Sequence, residues 1–509
     1  MRKYLYMLSA AVMLTLCPAC DHLMDTEPTA SLGSEQVFST ASSAMTAMNG
    51  IYRAMYCAEW GSDWQPENGG IMAYILASDL MGEDHIQTEQ GSGWFYYDYM
   101  YGIGSDWTSS AGRQAQCWNF FYTLISNANA IIAQEKNLTD DEDMAAYVVG
   151  QAYAMRAYCY LWLVQNFQQC DPTLPGVPVY TEPTTIKSKG KGRGTVQDVY
   201  DRINADLDEA IARLSATSVT QMHSSHIDQY VAQGIKARAL LVQKNYADAE
   251  TAALEALKGR ATVVPFSQTV KVNDVANDNV MWGLAIQTDQ GLSSYGVYSH
   301  IDADAGSTYS DGTNFVISAW LYDMLPSTDA RRAWWTDPET LEETVPKSSK
   351  QPYVQVKMTY KDVSLGTGDY ILMRAEEMAL IAAEAACHQE KWALAKEYVA
   401  MVASNRDSDY QANMAAYTES KEYQAQTSTS LITLMDYILY QRRVELWGEV
   451  SRMHDLQRLG LGVTRDYPYN NHSEPYDFEP ASPDFIYAIP QSEFDGNDAL
   501  DPTKDQNPN

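Results

Sequence analysis

The side chains that most often carry out chemistry, namely histidines, carboxylates and cysteines, form no recognisable catalytic set in this sequence. Of the eight histidines, His223 and His226 could share one face of a helix, but no third metal ligand follows at a recognisable spacing. The chain has no HExxH and no G-x-S-x-G motif, so neither a zinc protease nor a serine hydrolase is indicated. Its 66 acidic residues are too many for one pair to be singled out as glycosidase carboxylates. We therefore predict that the protein is not an enzyme and holds no metal or cofactor.

An excess of tyrosine and tryptophan is the more distinctive signal, with 35 Tyr and 12 Trp against 10 Phe. These rings combine an apolar body with a polar tip and suit binding surfaces that are partly exposed to solvent. They concentrate in two loop-rich stretches, near 59–112 and 280–352. For residues 94–101 a buried or edge strand is the alternative to an exposed aromatic loop. The predicted ligand-binding residues are Trp94, Tyr97, Tyr99, Tyr295, Tyr298 and Trp320.

The net charge of -31 excludes two classes of partner. Nucleic-acid phosphates would be repelled by so acidic a chain, so we predict no nucleic-acid binding. Adsorption to anionic lipid by charge is excluded for the same reason. The acidic residues are best explained as a surface that keeps the protein soluble.

The N-terminus has the pattern of an exported protein. Arg2 and Lys3 precede an apolar run too short to span a bilayer permanently, so residues 1–19 are predicted to be a signal peptide. The run ends in Cys17-Pro18-Ala19-Cys20, which could be a dithiol motif. Its position at the end of a leader instead resembles a lipobox, with Cys17 where leucine is usual. We predict that Cys20 is lipidated and that 20–38 is a tether to the membrane. Besides Cys20, five cysteines remain after the leader, too few for a disulfide framework.

Most of the remaining chain has helical periodicity. Residues 230–258 and 371–402 repeat one design, in which a helix rich in small residues is followed by a polar turn and a second helix. Tyr246 of the first copy corresponds to Trp392 of the second. This arrangement resembles a tetratricopeptide repeat, and a generic helical hairpin is the alternative. We predict a single domain over 39–509, dominated by α-helical hairpins with long loop-rich insertions.

The stretch 435–462 predicts one amphipathic helix that ends at Gly460 or Gly462, because its apolar residues recur every two to four positions. Arginines lie within one turn of Glu445 and Glu449, so ion pairs along this helix are expected.

The order of residue types in this stretch, and in 435–509 as a whole, resembles the C-terminal signature of the SusD/RagB family. The matching residues are Arg442, Arg443, Glu445, Leu446, Glu449, Asp455, Leu456 and Arg458, then Ile489-Pro490-Gln491-Ser492-Glu493 and Gln506-Asn507-Pro508. These proteins are surface nutrient-binding lipoproteins of Bacteroidetes. The resemblance implies a non-enzymatic protein on the outer face of the outer membrane. There it would bind oligosaccharides or polysaccharides and pass them to a SusC-like TonB-dependent transporter.

The chemistry of sugars agrees with this implication, because the apolar C–H face of a sugar ring can stack on tyrosine or tryptophan. Three other functions are left open. The protein could be a scaffold that binds only the transporter, or it could capture peptide or glycopeptide cargo. A surface hydrolase is the third, although no motif supports it.

Overall fold

The computed structural model describes residues 39–56, 69–101, 108–184, 187–288, 292, 296–303, 305–306, 309–310, 315–341, 351–428 and 430–508. The predicted signal peptide, the lipidated Cys20 and the tether lie outside these residues. Within them, no helix has the length and apolar character needed to cross a membrane.

The described part of the chain is built mainly from α-helices, as predicted. In chain order they are α1 (Ala41–Ala54), α2 (Ile71–Leu80), α3 (Tyr96–Tyr99), α4 (Gly112–Ala133), α5 (Glu142–Phe167), α6 (Val196–Ala216), α7 (Gln229–Val242), α8 (Tyr246–Ala256), α9 (Tyr298–Ile301), α10 (Ala319–Asp323), α11 (Ala375–His388), α12 (Trp392–Ala403), α13 (Tyr410–Ala415), α14 (Leu434–Glu445), α15 (Arg452–Leu459) and α16 (Gln491–Gly496). Short antiparallel pairs join β1 (His85–Gln87) to β3 (Phe315–Ile317), β2 (Val280–Leu284) to β4 (Tyr370–Arg374), and β5 (Val463–Thr464) to β6 (Asp477–Phe478).

Side-chain caps fix where several of the long helices begin. Thr195 and Asp198 form a reciprocal capping box at α6, which satisfies two backbone N–H groups that have no partner inside the helix. Thr433 and Asp436 do the same at α14. These caps are local in sequence, which is why a helix start at Thr195 could be predicted from the spacing alone.

The two predicted hairpins are confirmed as α7–α8 and α11–α12, which pack against each other through α8 and α11. Their turns are equivalent in detail, since Lys244 and Glu390 both adopt left-handed backbone, with φ of 59° and 61°. Fully buried alanines, including Ala249 and Ala395, allow the helices to approach closely. Helices α4, α5 and α6 extend the same antiparallel array. The fold is therefore a tetratricopeptide-like helical scaffold.

The prediction of one helix over 435–462 is wrong. The structure has two helices, α14 and α15, separated by a turn in which Gly448 has a φ of 75°. That left-handed conformation suits glycine and breaks the helical hydrogen bonds. The predicted end at Gly460 is confirmed, because Gly460 caps α15 with a φ of 70°.

The expected pairing of Glu445 and Glu449 with arginines of their own helix is also wrong. Glu445 contacts Arg331 at 3.3 Å, Arg374 at 3.0 Å and Arg406 at 2.9 Å, all from other elements. Glu449 instead contacts Arg374 and Lys357, each at 2.6 Å. We call these six side chains and Glu376, which contacts Arg406 at 2.9 Å, the buried ion-pair network. It joins the insertion before β4 to the helical scaffold.

The aromatic residues of the 280–352 stretch belong mostly to the core. Trp334, Trp335 and Tyr322 are buried and form a cluster with Trp447, which lies in the turn after α14. Trp282 is fully buried beside Tyr158 of α5. The described part of this stretch therefore forms a second packed core, and most of its aromatic rings are not exposed to a ligand.

The described cysteines behave as small core side chains. Cys117, Cys159 and Cys387 are buried, Cys170 is partly buried, and all four carry free thiols. Burial raises the pKa of the Cys170 thiol to about 11, which leaves it protonated and unreactive at neutral pH.

Candidate functional site

The short helix α3 lies within the aromatic run WFYYDYMY (94–101), and contacts near both of its ends hold it in place. Phe95, just before it, is fully buried and has a left-handed φ of 64°. Asp98 accepts two hydrogen bonds from the Arg113 guanidinium, at 2.9 and 2.7 Å. The helix is therefore held against α4 by a buried, bidentate ion pair, and the orientation of its side chains is fixed.

Arg465, which follows β5, forms the floor beneath this helix. Its side chain is fully buried and donates hydrogen bonds to the carbonyl oxygens of Leu80, Gly82 and Tyr99, at 2.6 to 3.0 Å. The guanidinium also lies 4.4 Å from the centre of the Tyr99 ring. One arginine thus joins the end of α2, helix α3 and the C-terminal part of the chain.

Above this floor, aromatic rings reach the surface. The Tyr97 side chain is 48% exposed, and Trp94 and Tyr96 are half-buried. The Tyr96 and Tyr97 ring centres are 6.4 Å apart at an angle of 73°. Partial burial, and the nearby Glu474 carboxylate and Tyr476, raise the pKa of Tyr96. We call Trp94, Tyr96, Tyr97 and Tyr476 the aromatic surface.

The structure brings only some of the predicted ligand-binding residues to this surface. Trp94 and Tyr97 lie on it, and Tyr295 is outside the described residues. The other three are buried, so their rings offer no free face to a ligand. Tyr99 has no exposed surface, Tyr298 is 2% exposed and donates its hydroxyl to the Asp369 carbonyl, and Trp320 is 8% exposed beneath the Arg443 guanidinium.

Sequence reasoning missed the residues that the loop between β5 and β6 contributes. Tyr476 lies in this loop beside Glu474, and Tyr469 at its tip is 98% exposed. The run from Tyr467 to Tyr476, YPYNNHSEPY, combines aromatics with turn-forming residues and was the available signal. This signal is weaker than that of the two predicted aromatic stretches because the run is shorter.

His472 supports the aromatic surface from below and gives it a pH-dependent stability. Its ring is parallel to that of Tyr99, and its Nδ1 atom lies 3.1 Å from the Tyr99 hydroxyl. Burial, and then the charge of Arg465, lower the pKa of His472 well below its ordinary value. The folded protein therefore keeps His472 neutral at a pH where the unfolded chain, with a pKa of about 6.5, binds a proton.

Because the pKa of His472 is lowered by folding, its stabilising effect is present above about pH 6.5 and is lost as the pH falls. We expect that His472→Phe reduces the fall in unfolding free energy between pH 7.5 and 5.5 by about 1 kcal/mol. Urea unfolding at the two pH values measures this. Equal falls in wild type and His472→Phe would contradict the prediction.

The described residues contain no group of three or more His, Cys, Asp or Glu side chains arranged to hold a metal ion. Glu445 is fully buried and contacts three arginines, and Arg406 and Arg374 hold its pKa below the usual range despite its burial. Such a carboxylate stays ionised and paired, which does not suit a general acid.

The fold is a tetratricopeptide-like scaffold that carries the aromatic surface. Comparison with known families identifies the class of protein. Residues 76–241 match a family model described as starch-binding and associating with the outer membrane, and residues 332–509 match the model of the SusD family. The chain belongs to the SusD/RagB family.

Similar proteins cover nearly all of the chain. SusD-like protein P2 of Formosa agariphila is 25% identical, with 98% of each chain covered. Among solved structures, a SusD-like carbohydrate-binding protein from Bacteroides vulgatus has a TM-score of 0.75 at 23% identity, covering 91% of this chain and 97% of its own. A laminarin-binding SusD-like protein has a TM-score of 0.65 at 18% identity, covering 92% and 99%. These structures show the shared fold.

Proposed function

We propose that the protein captures oligosaccharides or polysaccharides at the cell surface without changing them. It then delivers them to a SusC-like TonB-dependent transporter in the outer membrane. The observation that supports this most directly is the aromatic surface, whose partly exposed rings are held in place by a buried arginine. Membership of the SusD/RagB family and similarity to the laminarin-binding SusD-like protein support the same class of ligand.

The geometry of the aromatic surface suits a sugar chain. The Tyr96 and Tyr97 rings are inclined at 73°, so one ring can meet the face of a sugar while the other meets its edge. Hydroxyl groups of the sugar would find acceptors at Glu474 and at the hydroxyl of Tyr476. Each aromatic contact should contribute about 1 kcal/mol, so a few together give micromolar to millimolar affinity.

Replacing Tyr97 with alanine is expected to weaken glycan binding about fivefold, and Trp94→Ala with Tyr97→Ala together about thirtyfold. The reason is that each substitution removes about 1 kcal/mol of stacking. Calorimetry against laminarin, starch, xylan and mannan would identify the ligand and measure both losses. Tyr410→Ala, which removes a half-buried ring on α13, is the matched control and should bind like wild type. Unchanged affinity in the double variant would refute the proposed site.

The proposed absence of catalysis is tested in the same experiment. Chromatography of the glycan after incubation should return it at its original length. Shortened products would replace the proposal with a hydrolase. Binding of peptides but not of glycans would favour peptide or glycopeptide cargo, and binding of neither would favour a scaffold role.

The proposed lipid anchor at Cys20 and the transporter partner have separate tests. Mass spectrometry of protein extracted from membranes should show a mature chain that begins with acylated Cys20. Affinity purification from the native membrane should recover a TonB-dependent transporter. An unmodified N-terminus at Met1, or recovery of no transporter, would refute the corresponding part.

A further inference from the structure

A cleft of about 340 Å³ shares no lining residue with the aromatic surface and lies between α4, residues 180–184 and 188–190, and α16. One face of α4 forms its floor. Trp118, Tyr122 and Asn129 follow one another at steps of four and seven residues, so a single stripe of the helix lines the cleft. Asn119 and Ser126 extend this stripe with polar side chains.

Two tyrosine rings form a corner in this cleft. Tyr122 and Tyr180 are both half-buried, and their ring centres are 6.0 Å apart at an angle of 80°. Trp118 packs behind Tyr122 with ring centres 4.7 Å apart. A corner of this kind presents one ring face and one ring edge to the same ligand, which is suited to a flat, partly apolar ring.

The wall that carries Tyr180 is fixed before any ligand arrives. The Tyr122 hydroxyl donates to the Pro178 carbonyl at 2.8 Å, and the Asn129 amide donates to the Tyr180 carbonyl at 3.1 Å. The Tyr160 hydroxyl donates to that same carbonyl at 2.8 Å. Since this backbone is already ordered, binding would not have to order it.

The opposite wall, from α16, is also fixed, and both oxygens of its Glu493 carboxylate already accept hydrogen bonds. One Glu493 oxygen accepts the Trp118 indole N–H at 3.2 Å, and the other accepts the Asn497 amide at 2.7 Å. Asn497 also donates to the Lys191 carbonyl at 2.9 Å. Among the described residues that line the cleft, Lys189 is the only cation. The lining therefore does not favour a phosphate or sulfate group, and its remaining polar groups are hydroxyls and amides.

We propose that this cleft is a second binding site for a neutral oligosaccharide, separate from the aromatic surface. Aromatic rings beside neutral hydroxyl and amide groups match the apolar faces and the hydroxyls of a sugar chain. The inference rests on the proposed function, since both sites would hold the same glycan. Two sites on one protein would hold a long chain more tightly than either site alone.

Asn119→Trp tests this proposal, because it places a bulky ring at an exposed position on the floor of the cleft. Asn127→Trp is the matched control, since Asn127 is exposed on the same helix but does not line the cleft. The probes are hexasaccharides of β-1,3-glucan, α-1,4-glucan and β-1,4-mannan, titrated calorimetrically. We expect two hexasaccharides per wild-type or Asn127→Trp chain and one per Asn119→Trp chain, with binding at the cleft weakened at least tenfold.

The outcomes separate the two proposals. One bound hexasaccharide in both wild type and Asn119→Trp would overturn the second site and leave the aromatic surface in place. Loss of all binding in Asn119→Trp, with none of it lost in Tyr97→Ala, would support the cleft and overturn the aromatic surface as the binding site. No binding of any hexasaccharide by the wild-type protein would overturn both.

Discussion

Glu445→Gln should lower the free energy of unfolding by about 3 kcal/mol or more. This carboxylate is fully buried and is contacted by Arg331, Arg374 and Arg406, which are also buried. Removing its charge leaves these guanidinium groups with less compensation in a medium of low dielectric constant. Urea unfolding at neutral pH measures the loss.

The size of this effect depends on burial, and a surface ion pair provides the control. Glu255 contacts Lys258, but their side chains are 43% and 63% exposed. Glu255→Gln should therefore change the stability by no more than about 0.5 kcal/mol. If Glu445→Gln does not accumulate as folded protein, adding Arg406→Met should recover part of the folded protein, because one cation is removed with the anion. A loss below 1 kcal/mol in Glu445→Gln would show that the network is not important for stability.

Arg465→Met is expected to have the second large effect, and it should act on both stability and binding. The substitution keeps much of the side-chain volume but removes every donor to the carbonyls of Leu80, Gly82 and Tyr99. Buried carbonyls left without a donor should cost about 3 kcal/mol of unfolding free energy. Glycan affinity should fall at least tenfold, because helix α3 loses its floor.

Comparing Arg465→Met with Tyr97→Ala distinguishes a residue that supports the aromatic surface from one that contacts the glycan directly. Tyr97→Ala should weaken glycan binding while leaving the midpoint of urea unfolding nearly unchanged. Arg465→Met should reduce both. Arg213→Met is the control for the residue type, since Arg213 on α6 is 21% exposed and bonds to Glu135. Wild-type affinity in Arg465→Met would show that the aromatic surface does not depend on this arginine.

The helical scaffold was predictable because its signals are local. Alanine spacing, the Thr195 cap and the Tyr246 and Trp392 turns all lie within a few residues of the structure they specify. The break at Gly448 was missed because the apolar spacing continues through it. The partners of Glu445 could not be predicted, since they lie 39, 71 and 114 residues away in the sequence.

The site was predictable only in part, for a related reason. Tyr97 and Tyr99 are two residues apart, yet one is 48% exposed and the other has no exposed surface. The run WFYYDYMY has no period that tells which ring faces outward. The choice depends on Arg465 and His472, whose contacts with this segment span more than 360 residues.

These long spans have a consequence for how the chain reaches its folded state. Arg443 pairs with Asp84 across 359 residues, and the Asn507 amide donates to the Phe167 carbonyl across 340. Such contacts form only after the intervening chain is present, and folding that depends on them is slow. A chain that is synthesised from its N-terminus therefore cannot complete its fold until the C-terminal segment has been made. Slow closure of this kind would suit the export predicted from residues 1–19, because a polypeptide has to be unfolded to pass through a narrow translocation channel.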